Sequence, residues 1–217
     1  LQVQLPASLP VLCKYACTSG TALPSTELPE VLNKTGNEAF DASGLTSLVI
    51  PSTVTSIGTN ALRDTALTSF EIRAGQLTSL PGSLLSSKDI VTFTVPYGVT
   101  SLGSSFFAKA ALLETVYLPD TLTALPASVF SGCTALSAVG LGGVRNIGAS
   151  AFGNCYALQS IELPASATDI DGSAFSGCTL AEVVNPGGLE NIPAAASVVT
   201  DAADSRLVTS GDFTFLY

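Results

Sequence analysis

Five cysteines and no histidine bound the side-chain chemistry open to this 217-residue chain. Without histidine the commonest general base is gone, and with it every Ser-His or Cys-His dyad. Three of the cysteines recur in register: Cys133, Cys155 and Cys178 each follow a phenylalanine by three positions, after Phe130, Phe152 and Phe175. Stacked one above another they would lie within disulfide range, but side chains that point in parallel do not readily reach the required dihedral. They are read as reduced, buried residues acting as small apolar groups. Cys17 takes the place of a phenylalanine in its own copy, whereas Cys13 falls at a turn open to reagents. With no CxxC pair and no histidine a zinc site is not expected, and no metal or cofactor is assigned. Gly140-Leu141-Gly142-Gly143-Val144-Arg145 opens like a dinucleotide-binding GxGxxG, yet Arg145 stands at the third glycine and the motif sits inside a repeated strand. Asp169-Ile170-Asp171-Gly172 looks like the start of a calcium loop. Ile170 and Phe175 both occupy core positions, which keeps that loop from wrapping an ion in EF-hand fashion. The chain reads as non-enzymatic.

These residues are positioned by a repeat. An apolar triplet followed by proline recurs every 22 or 23 residues, as in Leu48-Val49-Ile50-Pro51, Val116-Tyr117-Leu118-Pro119 and Ile161-Glu162-Leu163-Pro164. Its last apolar residue marks each copy: Leu5, Leu28, Ile50, Ile72, Val95, Leu118, Leu141 and Leu163, with Asn185 as a ninth, weakened copy. A fixed period of this length predicts a solenoid of about nine coils. Two pairs inside each coil keep a constant separation of five residues: Leu113 to Leu118 or Leu158 to Leu163, and Leu125 to Phe130 or Ile147 to Phe152. Length varies only between the pairs, so single-residue insertions fall in turns while the stacking segments hold register. Alternation within the triplet, Leu48 and Ile50 on one side with Ser47 and Val49 on the other, predicts a short strand that pairs in parallel with its copies. Proline then ends the strand, having no N–H to give the ladder. The column of Phe40, Phe107, Phe130, Phe152 and Phe175 should fill the interior from the opposite wall. Irregular turns, a short helix or another short strand would all suit that wall.

The pattern Leu-x-x-Leu-x-Ile-Pro-x-x-Val-x-x-Ile-Gly-x-x-Ala-Leu/Phe resembles the BspA-like class of leucine-rich repeats. The resemblance covers roughly residues 1 to 193, and the copies Leu113 to Cys133 and Leu158 to Cys178 come nearest to it. It implies a leucine-rich-repeat solenoid with a parallel β-sheet on one face. It also implies a surface or secreted bacterial protein, of a kind that includes adhesins for host extracellular-matrix proteins. Fold follows more firmly from such a likeness than function does, because the repeated residues are the buried ones.

Composition agrees with this architecture. Hydrophobic residues make up 47% and charged residues 12% of the chain, but the apolar residues are dispersed by the period, and no run reaches the ~18 needed for a membrane-spanning helix. The unbroken period favours one stack over residues 1–197, about 40 Å long at the ~4.8 Å spacing of strands. It fails after Ile192-Pro193, and residues 198–217 read as a C-terminal cap whose aromatic tail folds over the last coil. The chain starts inside a repeat with neither initiator methionine nor signal sequence. That reads as a processed or trimmed product, with a signal peptide or lipoprotein leader as the segment whose removal is expected.

Charge narrows the partners. The net charge is −9, and residues 146–217 hold eight acids against one base, Arg206, which disfavours nucleic acid and anionic membrane. Strand positions facing away from the core form two exposed ladders, the usual binding surface of a solenoid. One is mainly hydroxylic: Gln2, Ser25, Ser47, Ser69, Thr92, Thr115, Ala138, Ser160, Glu182. The other runs Gln4, Glu27, Val49, Glu71, Thr94, Tyr117, Gly140, Glu162, Val184, and Tyr117 is the single aromatic in either. Glu71, Thr94, Tyr117 and Glu162 are therefore the candidate binding residues. The sequence reads as an extracellular or cell-surface protein-binding module, with a repeat spacer that displays another domain as the alternative.

Overall fold

The computed structural model describes residues 5–17, 25–180, 182–184, 198–200, 207–210 and 213–216. They form a parallel β-solenoid of about seven turns. Asn185, the ninth landmark, lies outside the described residues, as do Gln2 and Gln4 of the ladders and the side chains of the expected cap.

Each coil contributes two strands. The longer series comprises Ser25–Glu27, Ser47–Ile50, Ser69–Ile72, Thr92–Thr94, Thr115–Tyr117, Ala138–Gly140, Ser160–Glu162 and Glu182–Val184. Its members pair in parallel at the register of the repeat, for example Val49 with Glu71 and Tyr117 with both Thr94 and Gly140. In Ser69–Ile72 burial alternates residue by residue, Phe70 and Ile72 inward and Ser69 and Glu71 outward, as a pleated strand requires. The second series holds two-residue strands such as Ser56–Ile57, Ser101–Leu102 and Asn146–Ile147, which also pair in parallel. The longer ladder is interrupted twice, after Ser69–Ile72 and after Ala138–Gly140. Both breaks follow a coil that lacks proline behind its landmark: Arg73 and Gly142 stand there instead. The Arg73 N–H, which a proline would lack, donates to the Ile50 carbonyl at 3.0 Å. Beyond Glu182–Val184 the sheet continues through Val198–Thr200 and Phe213–Leu216, both parallel, and ends on antiparallel Leu207–Ser210.

The opposite wall is neither helix nor strand. In six coils of the described residues, two residues four apart take a left-handed φ, among them Glu38 and Ala42, Ser105 and Lys109, Ser128 and Gly132, and Ser150 and Asn154. Such a conformation costs a non-glycine residue roughly 1–2 kcal/mol. Two gains offset it. Alternate N–H groups of the wall donate to the following coil, Ser105, Phe107 and Lys109 to the carbonyls of Ala127, Val129 and Ser131 at 3.1, 2.8 and 2.7 Å. The same turns aim the phenylalanine column inward. Phe107, Phe130, Phe152 and Phe175 are fully buried and stack nearly parallel, with successive ring centroids 5.2, 5.2 and 5.3 Å apart.

The cysteine column lies at the exit of that wall. From Ser43 to Cys178 each N–H of the column closes a turn on the carbonyl three residues back, as Cys133 does on Phe130 and Lys88 on Leu85. Its side chain then reaches the coil before. Cys133, Cys155 and Cys178 thiols donate to the carbonyls of Phe107, Phe130 and Phe152 at 3.1, 3.2 and 2.8 Å. The thiols thus give buried carbonyls a second partner, a structural duty, and all five cysteines are unbonded. Burial pushes the Cys133 thiol up to about 12, and the neighbouring Cys178 thiol together with burial raises that of Cys155. Since the thiolate is the reactive form, iodoacetamide at pH 8 should label exposed Cys13 first. Half-buried Cys178 should follow, and Cys133 and Cys155 should react only on unfolding. Peptide mass spectrometry reads the order; rapid native labelling of Cys155, or a bridge between Cys155 and Cys178, would refute it.

Candidate functional site

The exposed ladder of the longer strands is the surface that the fold leaves open. Glu71, Thr94, Tyr117 and Glu162 all point to solvent, each between two buried neighbours along the chain: Phe70 and Ile72, Phe93 and Val95, Val116 and Leu118, Ile161 and Leu163. Alternation produces this arrangement, because the residues that anchor each strand in the core force the one between them outward. Thr94 and Tyr117 sit side by side on paired strands, and Gly140 is the next partner of Tyr117. Glu162 follows on the neighbouring strand beyond Gly140, and Glu71 precedes Thr94 across the first ladder break. Tyr117 is 55% exposed. None of the four side chains makes a hydrogen bond or ion pair among the described residues.

The parallel row of Ser47, Ser69, Thr92 and Thr115 presents hydroxyl groups on the same face. Tyr97, two residues beyond the core residue Val95, is 73% exposed. Sequence reading passed over Tyr97 because it follows Pro96 in the turn rather than lying on a strand. Of the acids in residues 146–217, Glu182, Glu190 and Asp204 have side chains outside the described residues.

The short motifs have local explanations. Gly140 ends the strand Ala138–Gly140, and no helix follows it among the described residues. The Asp171 carboxylate accepts from the N–H and hydroxyl of Ser173 at 2.8 and 2.7 Å, which closes a turn and holds its own proton affinity below the usual carboxylate value. Among the described residues no cluster of three or more His, Cys, Asp or Glu is arranged to hold a metal ion, and no helix is long and apolar enough to cross a membrane.

One ionisable residue escaped sequence reading altogether. Lys88 is 5% exposed and occupies the cysteine column. Its Nζ donates to the Thr65 carbonyl of the coil before at 2.9 Å, the same backward reach that the thiols make. Desolvation lowers its pKa, partly opposed by Asp64, Asp89 and Asp41. The signal was present in the repeat: Lys88 follows Leu85 by three, as Cys133 follows Phe130. Its duty is that of the thiols, to satisfy a backbone acceptor.

The repeats match the family model described as "BspA type Leucine rich repeat region", in 6 copies over residues 10–137 and 138–197. The chain belongs to this family. No curated protein matches the sequence. Among solved structures, this BspA-type chain is similar to a leucine rich cell surface protein from Faecalibacterium prausnitzii A2-165, at 24% identity and a TM-score of 0.54. The match covers 93% of the chain but 56% of that protein, so the BspA-type chain spans little more than half its length. It is also similar to the leucine rich repeat protein of T. pallidum, at 24% identity and a TM-score of 0.52 over 68% of the chain and 82% of that protein. These likenesses bear on fold. The family is consistent with a protein-binding repeat module.

Proposed function

We propose that this BspA-type repeat is a non-enzymatic module displayed outside the cell, at the surface or secreted, which captures a protein partner through the row Glu71, Thr94, Tyr117 and Glu162. A host extracellular-matrix protein is the partner class proposed, and the module then acts as an adhesin. The observation that carries the reading is the separation of duties on each strand: inward residues complete the core, while the four outward side chains have no described partner. An outward row without structural work can vary to suit a ligand, and the parallel stack holds it rigid, which limits the entropy lost on binding. Display at a surface is favoured by the family and by the cell-surface protein of F. prausnitzii that shares the fold.

The test compares wild type with the variant carrying Glu71→Ala, Thr94→Ala, Tyr117→Ala and Glu162→Ala on immobilised host matrix extract. Capture should fall to background. The melting temperature should barely move, because exposed substitutions usually shift stability by less than about 0.5 kcal/mol each. Capture at wild-type affinity by the quadruple variant would remove this face as the site.

A further inference from the structure

The row contains one missing side chain, at Gly140, and the fold does not require a glycine there. A Cβ on Gly140 would lie 3.6 Å from Tyr117 Cδ1 and 4.0 Å from the Val116 carbonyl oxygen, both ordinary contacts, and its φ is not left-handed. The next two glycines differ. Gly142 has φ +53°, and a Cβ on Gly143 would strike the Asp120 carbonyl oxygen. Glycine inside a strand weakens it and often marks a place where another group approaches closely. Here it opens a hollow of about 230 Å³ lined by Val139, Gly140, Leu141, Gly142, Glu162 and Pro164.

The walls of the hollow define what it would hold. Tyr117 is not part of the lining but flanks it, its Cδ1 3.6 Å from where a Cβ on Gly140 would sit. Glu162 lines the other side, on the strand beyond the second ladder break. A cation seated there would have a carboxylate in the lining and an aromatic ring beside it, the two groups that attract a cation. Glu162 has no cationic partner among the described residues. On the other side of Tyr117 the equivalent place is filled by Thr94. The chain around it is acidic, at −9 overall, which draws a basic segment toward this face.

We infer that the hollow over Gly140 seats a lysine or arginine side chain of a basic protein segment, with Tyr117 packed against the cation and Glu162 neutralising it. This rests on the outward row being the binding face and names the chemistry of its partner.

The probe is N-acetyl-argininamide, titrated into ¹⁵N-labelled protein and followed by amide shifts, with the uncharged citrulline analogue as control. Saturable shifts are expected at Tyr117, Gly140, Leu141 and Glu162 with the arginine probe and not with citrulline. Tyr117→Leu and Glu162→Gln should each weaken binding by about two- to fivefold. Gly140→Thr, which copies Thr94 into the hollow, should abolish it while the spectrum stays that of the folded protein. Equal shifts with citrulline, or undiminished binding to Gly140→Thr, would overturn the inference. If the arginine probe leaves these amides unmoved while the quadruple variant still loses capture, the row binds by other means and the cation seat is wrong. If the probe binds at the hollow while the quadruple variant captures normally, the seat stands and the reading of the row falls.

Discussion

Phe152→Ala is expected to remove about 3–5 kcal/mol of stability. Its ring is fully buried between Phe130 and Phe175, with centroids 5.2 and 5.3 Å away, so truncation opens two stacking faces at once. The surroundings cannot collapse into the space, because the wall behind the ring is tied to the next coil: the Phe152 N–H donates to the Ala174 carbonyl at 2.8 Å. A second consequence follows from one-dimensional architecture, in which each coil contacts only its neighbours and the interfaces carry the cooperativity. Weakening the interface at Phe152 should therefore split a single denaturant transition into two, with the coils beyond residue 152 unfolding first. A loss below about 1 kcal/mol, or one unbroken transition at unchanged midpoint, would mean that this column does not hold the stack together.

How much of this could be read in the sequence depended on whether stacking forces a residue to repeat. The landmarks Ile50, Val95, Leu118 and Leu163 and the Phe130, Phe152 and Phe175 column were legible because each coil must present the same shape to the next. The outward position of Glu71, Thr94, Tyr117 and Glu162 was legible for the complementary reason, since period-two alternation assigns every residue of a strand to one side. The left-handed wall was not. Its positions hold Glu38, Asn60, Ser105 and Ser128 in successive or nearby coils, and only asparagine, aspartate and glycine among the wall residues are favoured in that conformation. Lys88 was hidden by its charge, although its spacing from Leu85 gave its column away. The chemical reason for the cysteine column, a thiol given to the carbonyl of the preceding coil, needed the distance between coils and not only their period.

Gly140 was hidden by company. In the run Gly140-Leu141-Gly142-Gly143 nothing in the sequence separates a glycine that the backbone demands from one that it does not. The backbone angle and the space around each Cβ distinguish them, and that distinction bears on the central claim that each coil divides into columns the fold needs and a row it leaves free.

Unfolding Gly103→Ala and Gly140→Thr in guanidinium, side by side with wild type, tests that claim most directly. A Cβ on Gly103 would run into the backbone nitrogen of Gly82 in the coil before, and backbone locked in a stack cannot move aside. That variant should lose stability at the upper end of the overpacking range, about 3 kcal/mol. Gly140→Thr should lose nothing, and it should gain up to about 1 kcal/mol from replacing glycine in a strand. Comparable destabilisation of both variants would contradict the account, because the outward row would then be part of what holds the coils together.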